Sequence, residues 1–112
     1  MATPSTENGL TLTVMLWAVP GLEQELSAYE DAVLALLPRY GGRVAERVRR
    51  REPDEEHPLE VQVIDLPDTD ALEGFLVDPE RTSMSSVRDR CVARTQMFEV
   101  VRPVPGGPGP SR

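Results

Sequence analysis

The hydrophobic period of this chain changes abruptly at Pro20-Gly21, and that change narrows the folds open to it. Over residues 10–19 (LTLTVMLWAV), Leu10, Leu12, Val14, Leu16 and Ala18 alternate with Thr11, Thr13, Met15 and Trp17, the signature of a β-strand. Beyond the Pro-Gly break, Leu22, Leu26, Tyr29, Val33, Leu36 and Leu37 recur at helical spacing, with Glu23, Glu25, Glu30 and Asp31 off that stripe. The pattern predicts an amphipathic helix over 22–37, its early acids suited to the positive end of the helix dipole. Pro38 and the Gly41-Gly42 pair close it.

Residues 43–52 (RVAERVRRRE) lie between Gly41-Gly42 and Pro53, with Val44 and Val48 on one face, and read as an extended, partly exposed strand. A charged turn over 53–58 leads to a third strand, 59–66, in which Leu59, Val61, Val63 and Asp65 share the face expected to look toward the helices. Pro67 ends it. Asp68, Thr69 or Asp70 caps the next helix, with Asp70 and Glu73 at capping-box spacing and Ala71, Leu72, Phe75 and Leu76 as its stripe. Asp78-Pro79 restarts the helix, and Met84, Val87 and Cys91 continue the apolar line. Residues 93–101 form a closing strand.

The order β-α-β-β-α-β is the α+β, ferredoxin-like arrangement: a four-stranded antiparallel sheet with helices on one face. The other face, with Met15, Trp17 and the last strand, would leave an apolar patch in water. Pairing two such faces across a two-fold axis buries it, so a homodimer is the physical expectation.

The 112 residues fit one domain over 10–102, between a polar tail at 1–9 and a Pro/Gly-rich tail at 103–112, both expected to be disordered. Nineteen acidic residues oppose 12 basic ones, a net charge of −7 that argues against tracking a phosphate backbone. The run Arg43, Arg47, Arg49, Arg50, Arg51 is interleaved with or followed by Glu46, Glu52, Asp54, Glu55 and Glu56, so no nucleic-acid partner is expected. Every basic side chain is Arg, which removes lysine Schiff-base chemistry. A single Cys91 and a single His57 leave no cysteine cluster and no multi-histidine metal site, so no metal is expected. Cys91 reads as a buried small hydrophobe and His57 as a turn residue. The polar start has no secretory pattern, and the longest apolar stretch, Val14–Val19, is far short of the roughly 18–20 residues of a membrane span. A cytoplasmic protein without a membrane partner is expected.

Tyr40-Gly41-Gly42-Arg43, Ile64-Asp65-Leu66-Pro67, Phe75, Asp78-Pro79-Glu80-Arg81 and Arg88 together resemble the dimeric α+β barrel superfamily, and within it a small-protein family of unknown function. The resemblance spans about residues 12–101. It implies relatives among cofactor-independent monooxygenases, polyketide cyclases, muconolactone isomerases and haem-degrading enzymes. Haem ligation in such proteins usually takes a histidine on the helix side of the cavity, whereas His57 lies in the hairpin turn.

Asp65, on the side expected to face the helices, needs a partner or an altered protonation state, and Arg88 is the candidate. The two are either an ion pair anchoring helix to sheet or a general base with an arginine that stabilises an enolate. Tyr29 can offer its hydroxyl to a ligand oxygen or simply fill the core. Trp17 can stack on a flat ligand or pack across the dimer seam. Arg47 can hold an anionic ligand, and Phe75 completes the ligand-binding set. The expected function is a cofactor-independent cyclase, isomerase or monooxygenase acting on a hydrophobic, oxygenated small molecule. The competing reading is a non-catalytic binding or protein-interaction module.

Overall fold

In the computed structural model, which describes residues 9–103, strand β1 (Leu10–Ala18) buries Leu12, Val14 and Leu16 on one face and turns Thr11, Thr13 and Met15 to the other. Helix α1 (Glu23–Leu34) and a 3-10 turn over Leu37–Tyr40 follow, then strands β2 (Arg43–Arg49) and β3 (Glu60–Leu66). Three short helices, α2 (Thr69–Leu76), α3 (Pro79–Thr82) and α4 (Ser85–Cys91), lead into strand β4 (Val92–Val100). The strands form one antiparallel sheet in the order β2-β3-β1-β4. On its helix-covered face Leu12, Leu16, Ile64 and Leu66 meet Leu26, Val33, Leu37 and Phe75 in one core. No helix among the described residues is long and apolar enough to cross a membrane. The tails expected at 1–9 and 103–112 lie, apart from Gly9 and Pro103, outside the described residues.

The first helix is shorter than its apolar stripe, because Pro38 draws Leu37–Tyr40 into a tighter turn. Gly41 closes that turn with φ 74°, a conformation that glycine adopts without steric cost. Gly42 serves closeness instead. A Cβ there would lie 2.7 Å from Leu66 Cδ2 and 3.1 Å from the Asp65 carbonyl oxygen, so the chain enters β2 flush against the end of β3.

Two expectations about the sheet are corrected. In β3 the buried residues are Glu60, Gln62, Ile64 and Leu66, not the Val61, Val63 and Asp65 set. Pairing decides this: Leu16, Val14 and Leu12 on β1 stand opposite Glu60, Gln62 and Ile64. In β2 the register shifts between Val44 and Glu46. That bulge separates Val44 from Val48 and brings Arg47 to the side of Gln62.

The helical region is likewise divided more finely than its stripe predicts. Asp68 is the cap of α2, accepting from the Ala71 N–H at 2.8 Å. Asp78 caps α3 through the Glu80 N–H at 2.8 Å, and its carboxylate also accepts from the Tyr40 hydroxyl and from Arg39 Nη1 at 3.1 Å. This one buried acid therefore ties the turn after α1 to the start of α3. Cys91 is fully buried as expected, but Val87 faces solvent.

Candidate functional site

The polar residues of β3 form a connected row beneath α1. Arg47 donates to both oxygens of Glu60, from Nε at 2.8 Å and Nη2 at 2.9 Å, and its Nη1 reaches Asp31 Oδ1 at 2.6 Å. The Ser27 hydroxyl donates to Glu60 Oε2 at 2.7 Å. The Gln62 amide spends one proton on Glu60 (3.1 Å) and the other on Glu30 (2.9 Å). Burial pushes the Glu60 carboxyl up, but the bonds from Arg47, Ser27 and Gln62 together outweigh it and hold Glu60 below the usual carboxylate range. Glu30 sits at the far end of the row. It is only 6% exposed, and burial, reinforced by the charge of Glu60, pushes its carboxyl up against the opposing Gln62 bond and the more distant Arg47 and Arg81.

Glu30 and Gln62 open onto a cavity of about 170 Å³ between sheet and helices. Its apolar wall comes from Val14, Leu16, Val33, Ile64, Phe75, Leu76 and Met97, and its other polar residues are Arg81, Arg88 and Thr95. An apolar cavity of about 150 Å³ takes up benzene, so this space is of single-ring size. The Arg81 guanidinium lies over the Phe75 ring, 5.2 Å from its centroid, and donates from Nη1 to the Leu76 carbonyl at 3.1 Å. Its Nε is buried without a hydrogen-bond partner among the described residues. Arg88 donates from Nη2 to the Thr95 hydroxyl at 3.1 Å. A carboxyl pushed up in an apolar wall, near fixed cations, has the properties of a general acid or base.

The sequence-derived site is partly assembled and partly dispersed. Arg88 and Phe75 line the cavity. Asp65 does not meet Arg88. It stands on the open sheet face, held below the usual carboxylate range by hydrogen bonds from Arg102 (3.1 and 3.2 Å) and Thr11 (2.7 Å), with Arg43 at 3.2 Å. The reversed phase of β3 is the reason. Arg47 faces the helices, but its guanidinium is consumed by Glu60 and Asp31 rather than offered to a ligand. Trp17 is 8% exposed within its own chain, its indole N–H donating to the Glu56 carbonyl at 3.2 Å and its ring covered by Arg94 at 4.3 Å. Tyr29 is buried in the core, and burial pushes its hydroxyl up. His57 pairs with Asp54 at 3.0 Å in the exposed turn, away from the cavity. Glu30, Gln62 and Arg81 were not read as site residues. Glu30, expected off the apolar stripe, is buried instead: it stands four residues after Leu26 and three before Val33, and that spacing was the available signal. Among the described residues no group of three or more His, Cys, Asp or Glu is placed to hold a metal ion.

Solved structures share this architecture. A protein assigned as an antibiotic biosynthesis monooxygenase from Bacteroides thetaiotaomicron superposes with a TM-score of 0.66 at 19% identity, over 89% of this chain and 94% of that one. SnoaB, a cofactor-independent oxygenase from Streptomyces nogalater, gives 0.62 at 18% identity, over 88% and 98%. A dimeric protein of unknown function and ferredoxin-like fold from Bacteroides fragilis gives 0.62 at 12% identity, over 82% and 94%. The fold is ferredoxin-like, a four-stranded antiparallel sheet with helices on one face. No protein-family model matches the chain, and no curated protein matches it significantly in sequence.

Within this ferredoxin-like fold the Glu30 carboxyl makes a signed contribution to stability. Folding raises its titration point, so the folded chain holds the proton more tightly than the unfolded chain. Its contribution is therefore most favourable below the ordinary glutamate value of about 4.3 and declines as pH rises through the raised folded value. Glu30→Gln removes the titration and keeps an oxygen for the Gln62 amide. In paired denaturation series from about pH 4 to about pH 8, the variant should gain on the parent chain by about 1.4 kcal/mol per unit of upward shift. A flat or falling difference would contradict the raised carboxyl.

Proposed function

We propose that this chain is a small-molecule pocket protein carrying out cofactor-independent proton transfer, of cyclase, isomerase or monooxygenase type, on a hydrophobic, oxygenated, ring-sized substrate. The observation that carries the reading is Glu30, a buried acid pushed upward in a largely apolar cavity wall, within the field of Arg81. Glu30 in its carboxylate form takes a proton from the carbon beside a substrate carbonyl, and the charge left on the carbonyl oxygen is stabilised by Arg81. The resulting carbanion is common to isomerisation, ring closure and attack by dioxygen. SnoaB, named as a cofactor-independent oxygenase, supports this class of chemistry at the level of fold alone. Saturation of the Gln62 amide by Glu30 and Glu60 favours the second reading, a non-catalytic binding protein in which the polar row only positions α1.

Hydrogen–deuterium exchange at the enolisable carbons of 2-indanone, followed by proton NMR, separates the two. The parent chain should accelerate exchange over buffer, and Glu30→Gln should lose about 100-fold or more of that acceleration. Exchange no faster than buffer, or unchanged in the variant, would leave the binding reading.

The assembly proposed is a homodimer through the open sheet face. Phe98 is 43% exposed there, beside the partly buried Met15 and Val63, and the structural relative from Bacteroides fragilis is described as dimeric. Light scattering at micromolar concentration should give twice the 12.4 kDa chain mass, and Phe98→Glu should shift it toward one chain. A parent chain that runs as a monomer would overturn the pairing.

A further inference from the structure

The mouth of the cavity carries a pair of side chains that the proton-transfer chemistry leaves unused. Arg88 comes from α4 and Thr95 from the edge strand β4, and the guanidinium Nη2 donates to the hydroxyl at 3.1 Å. That bond orients both partners. The Thr95 oxygen is occupied as an acceptor, so its own proton is left to be donated. Arg88 makes no ion pair with any carboxylate among the described residues, in contrast to Arg39, Arg43, Arg47, Arg50, Arg90 and Arg102. The remaining N–H groups of its planar fork are therefore available for two-point recognition.

Position adds to this. Both side chains line the same cavity as Glu30 and Arg81. Arg81 contributes to the field at Glu30, whereas Arg88 does not figure among the main charges acting there. The cavity thus has an apolar body, a buried acid within the field of Arg81, and a further cation, Arg88, with a hydroxyl donor beside it. A neutral ligand would leave that second cation without a counter-charge, whereas a ligand with its own carboxylate would supply one.

We propose that Arg88 and Thr95 form a carboxylate clamp, and that the ligand of this cavity is a ring-sized organic acid whose ionised carboxylate is held at the mouth. The clamp rests on the cavity reading above and adds the charge class of the ligand. In it Arg88 donates through its fork to the carboxylate and Thr95 donates its hydroxyl proton to one carboxylate oxygen. Arg88 is then an anchoring residue, and proton transfer stays with Glu30 and Arg81.

Benzoate and benzamide are matched in shape and differ in charge, and the Met97 methyl resonance, on the cavity wall, reports occupancy by either. At neutral pH the parent chain should bind benzoate about tenfold more tightly than benzamide, the difference made by charge-assisted hydrogen bonds. Arg88→Met should abolish that preference, lowering benzoate affinity far more than benzamide affinity, and the methyl dispersion of its proton spectrum verifies that the variant is folded. Thr95→Val should reduce the preference, and Arg88→Lys should restore part of it. Equal binding of the two probes by the parent chain would overturn the clamp and leave the cavity reading intact. A preference that survives Arg88→Met would place the anion on another cation and also overturn the clamp. If neither probe shifts the Met97 methyl, the ring-sized cavity reading fails and the clamp fails with it.

Discussion

The grip of Arg47 on Glu60 is the interaction on which the core face of this sheet depends. Glu60 and Gln62 occupy positions that face the helices, opposite Leu16 and Val14. A carboxylate there without a partner would be strongly unfavourable, and removing one side of a buried pair typically costs about 3–5 kcal/mol. The partial exposure of Arg47 moderates that figure, but the geometry is demanding: one guanidinium serves both Glu60 oxygens, Asp31 and the Ser27 carbonyl. The bulge before Glu46 makes this possible, since without it Arg47 would point to the opposite face.

With Glu60 paired to Arg47, the row runs on to Glu30 across a single amide. Gln62 donates to both acids and fixes their separation. Glu60 keeps its proton off because Arg47 and Ser27 serve it, while Glu30, with only one strong donor, is pushed the other way by burial. Two glutamates joined through one amide are thereby driven to opposite sides of their ordinary range. Such divergence in neighbouring acids is what acid–base chemistry requires, and it also accounts for a cavity with a polar floor in an otherwise leucine- and valine-rich core.

Much of the fold was legible in the sequence because it rests on local rules. The strand–helix switch at Pro20-Gly21, a cap among Asp68, Thr69 and Asp70, the cap at Asp78, and the end of the first helix before Gly41-Gly42 each follow from one or two residues. The site was less legible because it turns on the phase of one short strand. In residues 59–66 the odd positions hold Leu59, Val61, Val63 and Asp65, and the even ones hold Glu60, Gln62, Ile64 and Leu66. Hydropathy favours the odd set, yet pairing with β1 buries the even set, and no local rule contains that information. The inversion carried Asp65 to the open face and left Arg88 on the cavity wall without it. Phe75 stands on the cavity wall because a helical stripe has no comparable ambiguity. Trp17 was placed on the open side correctly, but its cover by Arg94 and the 53–58 turn depends on contacts distant in sequence.

A site-resolved titration of the two linked glutamates tests the central claim most directly. Carboxyl carbon shifts of Glu30 and Glu60, followed by NMR and assigned with Glu30→Gln and Glu60→Gln, report each group in the folded chain. The account requires the Glu30 midpoint to lie above the ordinary glutamate value of about 4.3 and that of Glu60 below it. Midpoints that coincide, or a Glu30 that titrates at or below that value, would contradict it.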